Sequence, residues 1–539
     1  MTTPTTPTPT PAPGSTPAPG PAATPAPALG TATAPATKPG PATPPAPGPR
    51  PTTAPAPGPG TAPAAAPGPA AAPGPAAAPG PAAAPGPAAA PGPTTAPASA
   101  PAPAPAPGPG SVLAAMPVPV PHFVAPAHRE QATGRGSAVA VRRTGTGELA
   151  EGRLLFPLLA GRGPHQARTE VMAQALRATL TGAVADLATV RVEARSDRAV
   201  IAVRTFTADF AAACARIREC LHDGVPHEDR VVRAAAERVA GRLSTAAPAP
   251  TLLARTRFLA AVFGPHPYGQ AATAADARAV TGPDTAALLH SAPAARRHGI
   301  AVGPGPAGEL LTQAAALLPH PTPPTTGQDR PGPTPPVPAA ARRGDVTVVH
   351  PATPQTLLRL GALLPGRGHH DYPALQLAVL MLGGYYASRL TRVLREREGL
   401  AYAPRAVLDP LGPNAVLTVE ADVRHDGAVR ALTLIAQEMN RLAAGAFTAQ
   451  ELRNAQNYAV GCMAMACSSR SGLASTYAAV LVGNLPATWP AGYEDRLRAL
   501  DAGDVARAAA THLAPAALST VAIAPAWTPG LPPPAPHPT

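Results

Sequence analysis

Twenty residues from Gly383 to Tyr402, GGYYASRLTRVLREREGLAY, gather arginine and glutamate in a chain that is only 14% charged. Within them Arg395 and Tyr402 stand seven positions apart. Arginine carries a permanent cation with forked N–H donors, and the tyrosine hydroxyl adds a neutral donor on a rigid ring. Two such donors facing one space can hold an oxygen acceptor between them. Gly399 is the residue type that takes the left-handed conformation at a helix end, which lets the chain turn back so that both side chains face one space. A plainer account exists. In it Arg395 neutralises a helix C-terminus and pairs with Glu398, while Tyr402 is ordinary strand packing. For an isolated arginine and tyrosine the plainer account is the stronger. Arg392 and Glu396 are spaced as an i, i+4 pair on a solvated helix face, and Gly383 and Gly384 suit close packing at a helix break.

The elements that must hold these side chains come in two similar runs. The first, residues 129–320, reads as strands SAVAVRR and GRLLFPLLAG, the helix QARTEVMAQALRATL, the strand-like VRVEARSDRAVIAVRTF, four further helices, the strand RHGIAVG and a closing helix AGELLTQAAALL. The second, residues 345–529, reads as strands DVTVVHPA and QTLLRLGALLP, helices around YPALQLAVLML and ASRLTRVLRERE, strands PRAVLD and NAVLTVEADV, a further run of helices and a last strand LSTVAIAP. The order of elements repeats. Residues 321–344, proline-rich, read as a stiff linker holding two similar domains side by side, and 530–539 as a second proline-rich tail.

Composition bounds the rest. Residues 1–128 carry only Lys38 and Arg50 as charged side chains and include five copies of AAAPGP from Ala64 to Pro93. Such a segment has too little apolar surface to repay its ordering entropy, so it is expected to be a disordered, partly polyproline II tail. The net charge is +12, but 42 of the 43 basic residues are arginine and they are scattered among the acids. With aromatics at 3% of the chain, the sequence lacks the clustered charge and interleaved aromatics of a nucleic-acid binder, and no nucleic-acid partner is expected. No window is apolar enough to span a membrane, and MTTPTTPTPT lacks the features of a secretory signal. The four cysteines, Cys214, Cys220, Cys462 and Cys467, match neither a zinc knuckle nor a disulfide framework. A soluble cytoplasmic protein with buried free thiols is expected.

Two stretches carry a resemblance. FGPHPYGQ, Phe263 to Gln270, is similar to the G-x-HPYG segment of the M16 metallopeptidase family (insulinase or pitrilysin family), and LGGYYASRLTRVLREREGLAYA resembles that family's LGGG-x-x-SRL-x-x-x-LRE-x-x-GLAY. The similarity runs from about residue 129 to 525. It implies an α+β fold of two tandem M16-type α/β domains, each a mostly antiparallel sheet covered by helices. It also implies that Arg395 and Tyr402 match the family's pair that contacts the scissile peptide and its tetrahedral intermediate.

Peptide-cleaving members also need H-x-x-E-H, two zinc-binding histidines four apart on a helix with a glutamate base between them. None of the fifteen histidines here begins that motif or H-E-x-x-H. On alignment the site falls at TEVMA, where Thr169 and Ala173 replace the histidines and Met172 the base. Glu237, near the place of the distal ligand, reads as a solvated helix residue, His222 and His227 as surface histidines, and His266 as a packing residue. This chain is therefore expected to hold no metal or other cofactor of its own. The resemblance implies the non-zinc subunit of a heterodimeric peptidase of the M16B type, with a partner subunit carrying H-x-x-E-H and zinc and with a peptide, such as a leader peptide, as substrate. The alternative is an inactive structural or peptide-binding scaffold.

Overall fold

The computed structural model describes residues 121–133, 136–145, 147–158, 165–222, 229–246, 249–290, 297–318 and 344–535. Of the tail expected over residues 1–128 the first 120, of the linker expected over 321–344 all but Gly344, and also His227 and the last four residues lie outside them.

Two sheets organise the chain. The first contains β1 (His128–Thr133), β2 (Gly136–Arg142), β3 (Leu149–Pro157), β4 (Thr189–Ala194), β5 (Arg198–Phe206) and β6 (His298–Gly303), in the order β1-β2-β6-β3-β5-β4. The second contains β7 (Asp345–Val349), β8 (Thr356–Pro365), β9 (Arg405–Leu411), β10 (Asn414–Val423) and β11 (Ser519–Ala524), in the order β7-β11-β8-β10-β9. Leaving out β1, both sheets place their strands first, fifth, second, fourth, third. Each has one parallel pair, β2 with β6 and β7 with β11, and all other pairs are antiparallel. The duplicated, mostly antiparallel α+β arrangement implied by the sequence is the fold. β1 escaped the sequence reading because HREQAT is polar and exposed and shows no period-two apolar pattern.

The two halves interlock. The helix Pro250–Phe263 of the first half packs on β8 and β11 of the second, and the helix Arg470–Val482 of the second half packs on β3 and β6 of the first. Ala254, Phe258, Val262 and Phe263 meet Leu357, Val416, Val521 and Ile523 in one apolar cluster. In the reciprocal contact Leu473, Ala474, Tyr477 and Leu481 meet Val139, Leu155, Ile300 and Val302. This exchange explains the nearly continuous burial of β3 and β8, which extends to the charged residues Glu151, Arg153 and Arg359. Their residues are buried on both faces, by helices of their own half on one side and by a helix of the other half on the opposite side. Gly361 on β8 makes room for the exchange, since a Cβ there would sit 2.8 Å from Cζ of Phe258 and against the backbone of Leu417.

Ordered packing extends past both composition boundaries. Upstream of residue 128, Phe123 is buried, its N–H donates to the Glu494 carboxylate at 2.6 Å, and the Tyr477 hydroxyl donates to the carbonyl of Pro126 at 3.3 Å. One phenylalanine in a proline-rich context suffices as an anchor because a single buried aromatic ring contributes a large apolar area, here to the main cluster of the second half. Downstream of 530, Leu531 is buried, Thr347 N–H donates to Pro533 C=O and Ala535 N–H donates to Thr347 C=O, both at 2.7 Å. The proline-rich segment thereby covers the open edge of β7.

His298, at the start of β6, is partly buried with Nδ1 2.6 Å from the Ser137 hydroxyl, and burial pushes its pKa down to about 4. The unfolded chain binds a proton here below its ordinary value while the folded chain does not. Stability from this group is therefore complete above about pH 6.5 and is lost as pH falls toward 4, by about 3 kcal/mol in all. Denaturant midpoints measured across that range should fall with pH, and His298→Gln should flatten the fall. An unchanged slope in the variant would reject the assignment.

Candidate functional site

The arginine and tyrosine of the opening stretch are set by a helix with unusual pitch. The helix Tyr372–Val379 passes into a π-helical turn, Leu380–Gly384, and after a short break a second π-helical segment covers Thr391–Arg397. Such wide turns rotate the following side chains off the normal helical register. At the break Gly383 lies against β9, where a Cβ would sit 2.5 Å from the backbone nitrogen of Ala406. Gly399 has φ +62° and the N–H of Leu400 donates back to the carbonyl of Leu394 at 2.7 Å, closing the helix as its spacing predicts.

The motif between these ends is an anchor. Ser388 is fully buried with its hydroxyl 3.1 Å from that of Thr391, and Leu390 enters the core. The Arg389 guanidinium, nearly buried, donates to both carboxylate oxygens of Glu451 at 2.7 and 3.0 Å, to Glu438 at 3.3 Å and to the carbonyl of Ala446 at 2.7 Å. Arg392 joins this network through Glu451 at 3.1 Å, not Glu396, because the second-half helix Ala449–Ala466 brings a carboxylate to it.

Arg395 and Tyr402 come together. The Arg395 guanidinium lies over the Tyr402 ring, 4.7 Å from its centroid, and also 5.4 Å from the centroid of Tyr386. Both rings are exposed, 69% for Tyr386 and 79% for Tyr402. Glu398, the partner of the plainer account, is turned instead to Arg430 at 3.1 Å and Arg397 at 3.5 Å, whose guanidinium groups hold its carboxyl below the usual range. No carboxylate pairs with Arg395 among the described residues. Stacking occupies the faces of the guanidinium and leaves its in-plane N–H groups free to donate, so the rings orient the cation without neutralising it. Tyr386 was missed from sequence. Its signal was a Tyr-Tyr pair directly after two glycines in an aromatic-poor chain.

At the aligned zinc position the helix His165–Ala183 presents other chemistry. Thr169 donates its hydroxyl to the carbonyl of His165 at 2.8 Å, Met172 is fully buried and Ala173 nearly so. The buried His165 ring donates through Nε2 to Ser196 C=O at 2.6 Å, and burial holds its pKa below the ordinary value. Glu237 is exposed and pairs with Arg278 at 3.1 Å, as a solvated helix residue should. His266 is buried and caps a short turn by accepting from Tyr268 N–H at 3.2 Å. A hydroxyl spent on its own helix, a thioether and a methyl group offer zinc no ligand set. Metal-type donors do gather at His369, His370 and Asp371. There Asp371 pairs with His512 at 2.9 Å and its N–H donates to His369 Nδ1, so the group works as a local turn network.

Residues 298–458 match the family described as the Peptidase M16 inactive domain. A search of curated proteins found no match. Among solved structures, the chain is similar to a peptidase M16 inactive domain from Pseudomonas fluorescens, with 19% identity and TM-score 0.64 over 75% of this chain and 98% of that one. It is also similar to a protease from Helicobacter pylori, with 17% identity and TM-score 0.62 over 74% and 100%. The periplasmic protease PqqL from Escherichia coli aligns at 15% identity and TM-score 0.57, over 76% of this chain but 48% of that one. The match from β6 through the Arg395 and Tyr402 segment into the helix beyond assigns residues 298–458 to the M16 inactive-domain family, and the described chain shares its duplicated fold with M16 structures.

Proposed function

We propose that this chain is the metal-free subunit of a two-chain M16 peptidase, in which it supplies Arg395 and Tyr402 to the peptide while a partner subunit bearing H-x-x-E-H supplies zinc. The observation that carries the reading is the stacked pair: a cation 4.7 Å from an exposed tyrosine ring, with no carboxylate among the described residues to quench it. A surface arginine kept only for stability is more usefully paired, as Arg430 and Arg278 are here. The loss of donors at Thr169, Met172 and Ala173 supports the same division of labour, because a chain that keeps donors for the developing oxyanion but lacks a water-activating centre needs that centre from elsewhere. The similarity to about half of the longer PqqL chain is consistent with a clamshell assembled from two such units. All four cysteines are unpaired, which supports the reducing, cytoplasmic compartment that belongs to this proposal, although only Cys214 and Cys467 are buried as expected, Cys220 being half-buried and Cys462 exposed.

Reconstitution tests it. This chain, mixed with an M16 chain carrying H-x-x-E-H, should cleave an unstructured peptide that neither cleaves alone. Equal cleavage by the zinc-bearing chain alone would favour an inactive scaffold. Metal analysis of the purified single chain should return far less than stoichiometric zinc, and a chelator should leave its melting temperature unchanged. One zinc per chain, with cleavage that disappears on its removal, would overturn the proposal.

A further inference from the structure

We propose that the face of the first sheet turned toward the helix Arg470–Val482 is a docking groove for an acidic peptide segment. The groove encloses about 680 Å³ and continues, through the shared residues Glu151, Arg204 and Ser471, into a second hollow of about 400 Å³. Strand alternation puts Arg153 of β3, Arg191 of β4 and both Arg198 and Arg204 of β5 on its floor. Ser471 and Ser475, from the helix that the second half contributes, form a wall. The groove therefore exists only once the halves have interlocked.

Its charge is only partly compensated. Buried Glu151 accepts from Arg153 at 2.8 Å and also from Arg204, so one carboxylate serves two cations. Arg195 pairs with Asp409 at 3.1 Å and Arg198 with Asp197 at 2.8 Å. Arg191 has no carboxylate partner among the described residues. In the continuing hollow Arg143 donates to the carbonyls of Cys467 and Ser468 at 3.0 and 2.8 Å, and Arg470 to the carbonyl of Gly147 at 2.9 Å, so backbone oxygens hold both in place and leave their charge. Glu193 is the one other acid on the lining. Seven arginines thus face four carboxylates, an excess of three positive charges on a concave wall that focuses their field.

The occupant follows from that charge and from what the walls lack. None of the described lining residues is aromatic, so no platform stacks a nucleic-acid base. A sheet face with arginine forks and serine hydroxyls suits carboxylates on an extended chain. The assignment refines the peptide-handling role proposed above by naming a class of substrate sequence. It is tested on the chain alone, with no partner and no cleavage, so either can fail without the other.

The test is fluorescence anisotropy with the full chain and a short labelled peptide alternating glutamate and alanine. A lysine-alanine peptide and a single-stranded oligonucleotide serve as competing probes. The acidic peptide should bind, the basic one should not, and affinity should fall at least about fivefold when salt shortens the Debye length from about 10 Å to a few ångströms. Arg191→Glu, an exposed substitution that breaks no described pair, should weaken binding about tenfold or more, as a reversed charge within a complementary site does. Arg204→Gln should weaken it about threefold while still donating to Glu151. Arg453→Glu changes net charge equally on an exposed helix outside the groove and should leave binding unchanged. The proposal is overturned if the acidic peptide fails to bind, if Arg191→Glu binds it as wild type does, if Arg453→Glu weakens it as much, or if the oligonucleotide binds more tightly.

Discussion

Replacing Arg395 with alanine in the reconstituted pair should lower kcat by about two to three orders of magnitude, roughly 3 to 4 kcal/mol, the usual cost of losing one donor to a developing oxyanion. The guanidinium is held between Tyr386 and Tyr402 and faces no carboxylate among the described residues, so its removal leaves no buried partner behind and the effect should fall on chemistry rather than folding. Arg395→Lys should recover only part of the rate, because a compact ammonium replaces a planar fork and stacks less well on the rings. Tyr402→Phe keeps the ring under the guanidinium and removes only the hydroxyl, so it should cost less than Tyr402→Ala, which removes both donor and platform. Steady-state kinetics at saturating partner, with size-exclusion chromatography to show the complex intact, reads all four. Rates within about twofold of wild type for both Arg395→Ala and Tyr402→Phe would reject a catalytic role and leave a binding scaffold.

The largest effect on stability should come from six residues upstream. Arg389→Ala should destabilise the chain by about 3 to 5 kcal/mol, as expected when one member of a buried ion network is removed. Glu438 is nearly buried and Glu451 is mostly so, and both lose their arginine fork, while the carbonyl of Ala446 loses its donor. Arg441 and Arg392 remain to bind the two carboxylates from the solvent side, which caps the loss. Arg389→Met refills the volume and leaves the carboxylates buried, so it should be nearly as damaging. Combining it with Glu438→Leu should restore a large part. Denaturant midpoints decide between charge and volume: recovery by Met alone would show that Arg389 acts mainly by packing.

These two arginines show how far reading by spacing reaches. Arg389 and Arg395 lie on the same short helix with comparable flanks, and nothing within SRLTRVLRE separates a buried anchor from a half-buried arginine without a carboxylate partner among the described residues. What separates them is the helix Ala449–Ala466, which delivers Glu451 to one and not to the other. Glu398, three residues from Arg395 and suited to pair with it, is drawn away by Arg430 from the helix Ala428–Ala443. Tyr386 completes the stack only because the helix break at Gly383 and Gly384 turns it back over the second π-helical segment. A period of 3.6 residues predicts neighbours along one regular helix, and here the helix is neither regular nor alone.

Local chemistry, by contrast, was settled in the linear chain. A threonine, a methionine and an alanine at positions 169, 172 and 173 lack zinc ligands and a general base whatever their surroundings, because those properties belong to the side chains themselves. Gly399 ends its helix because a left-handed φ is open to glycine at little cost. The repeated order of strands and helices follows from apolar periodicity and makes the duplication legible. Only the tertiary structure decided that each half lends a helix to the sheet of the other, that Phe123 and Leu531 belong to the packed chain, and that arginines scattered through β3, β4, β5 and two loops converge on one groove. Those outcomes depend on surfaces brought together from residues hundreds of positions apart. Burial and charge act through space between whichever surfaces meet, and spacing along a chain carries no record of that meeting.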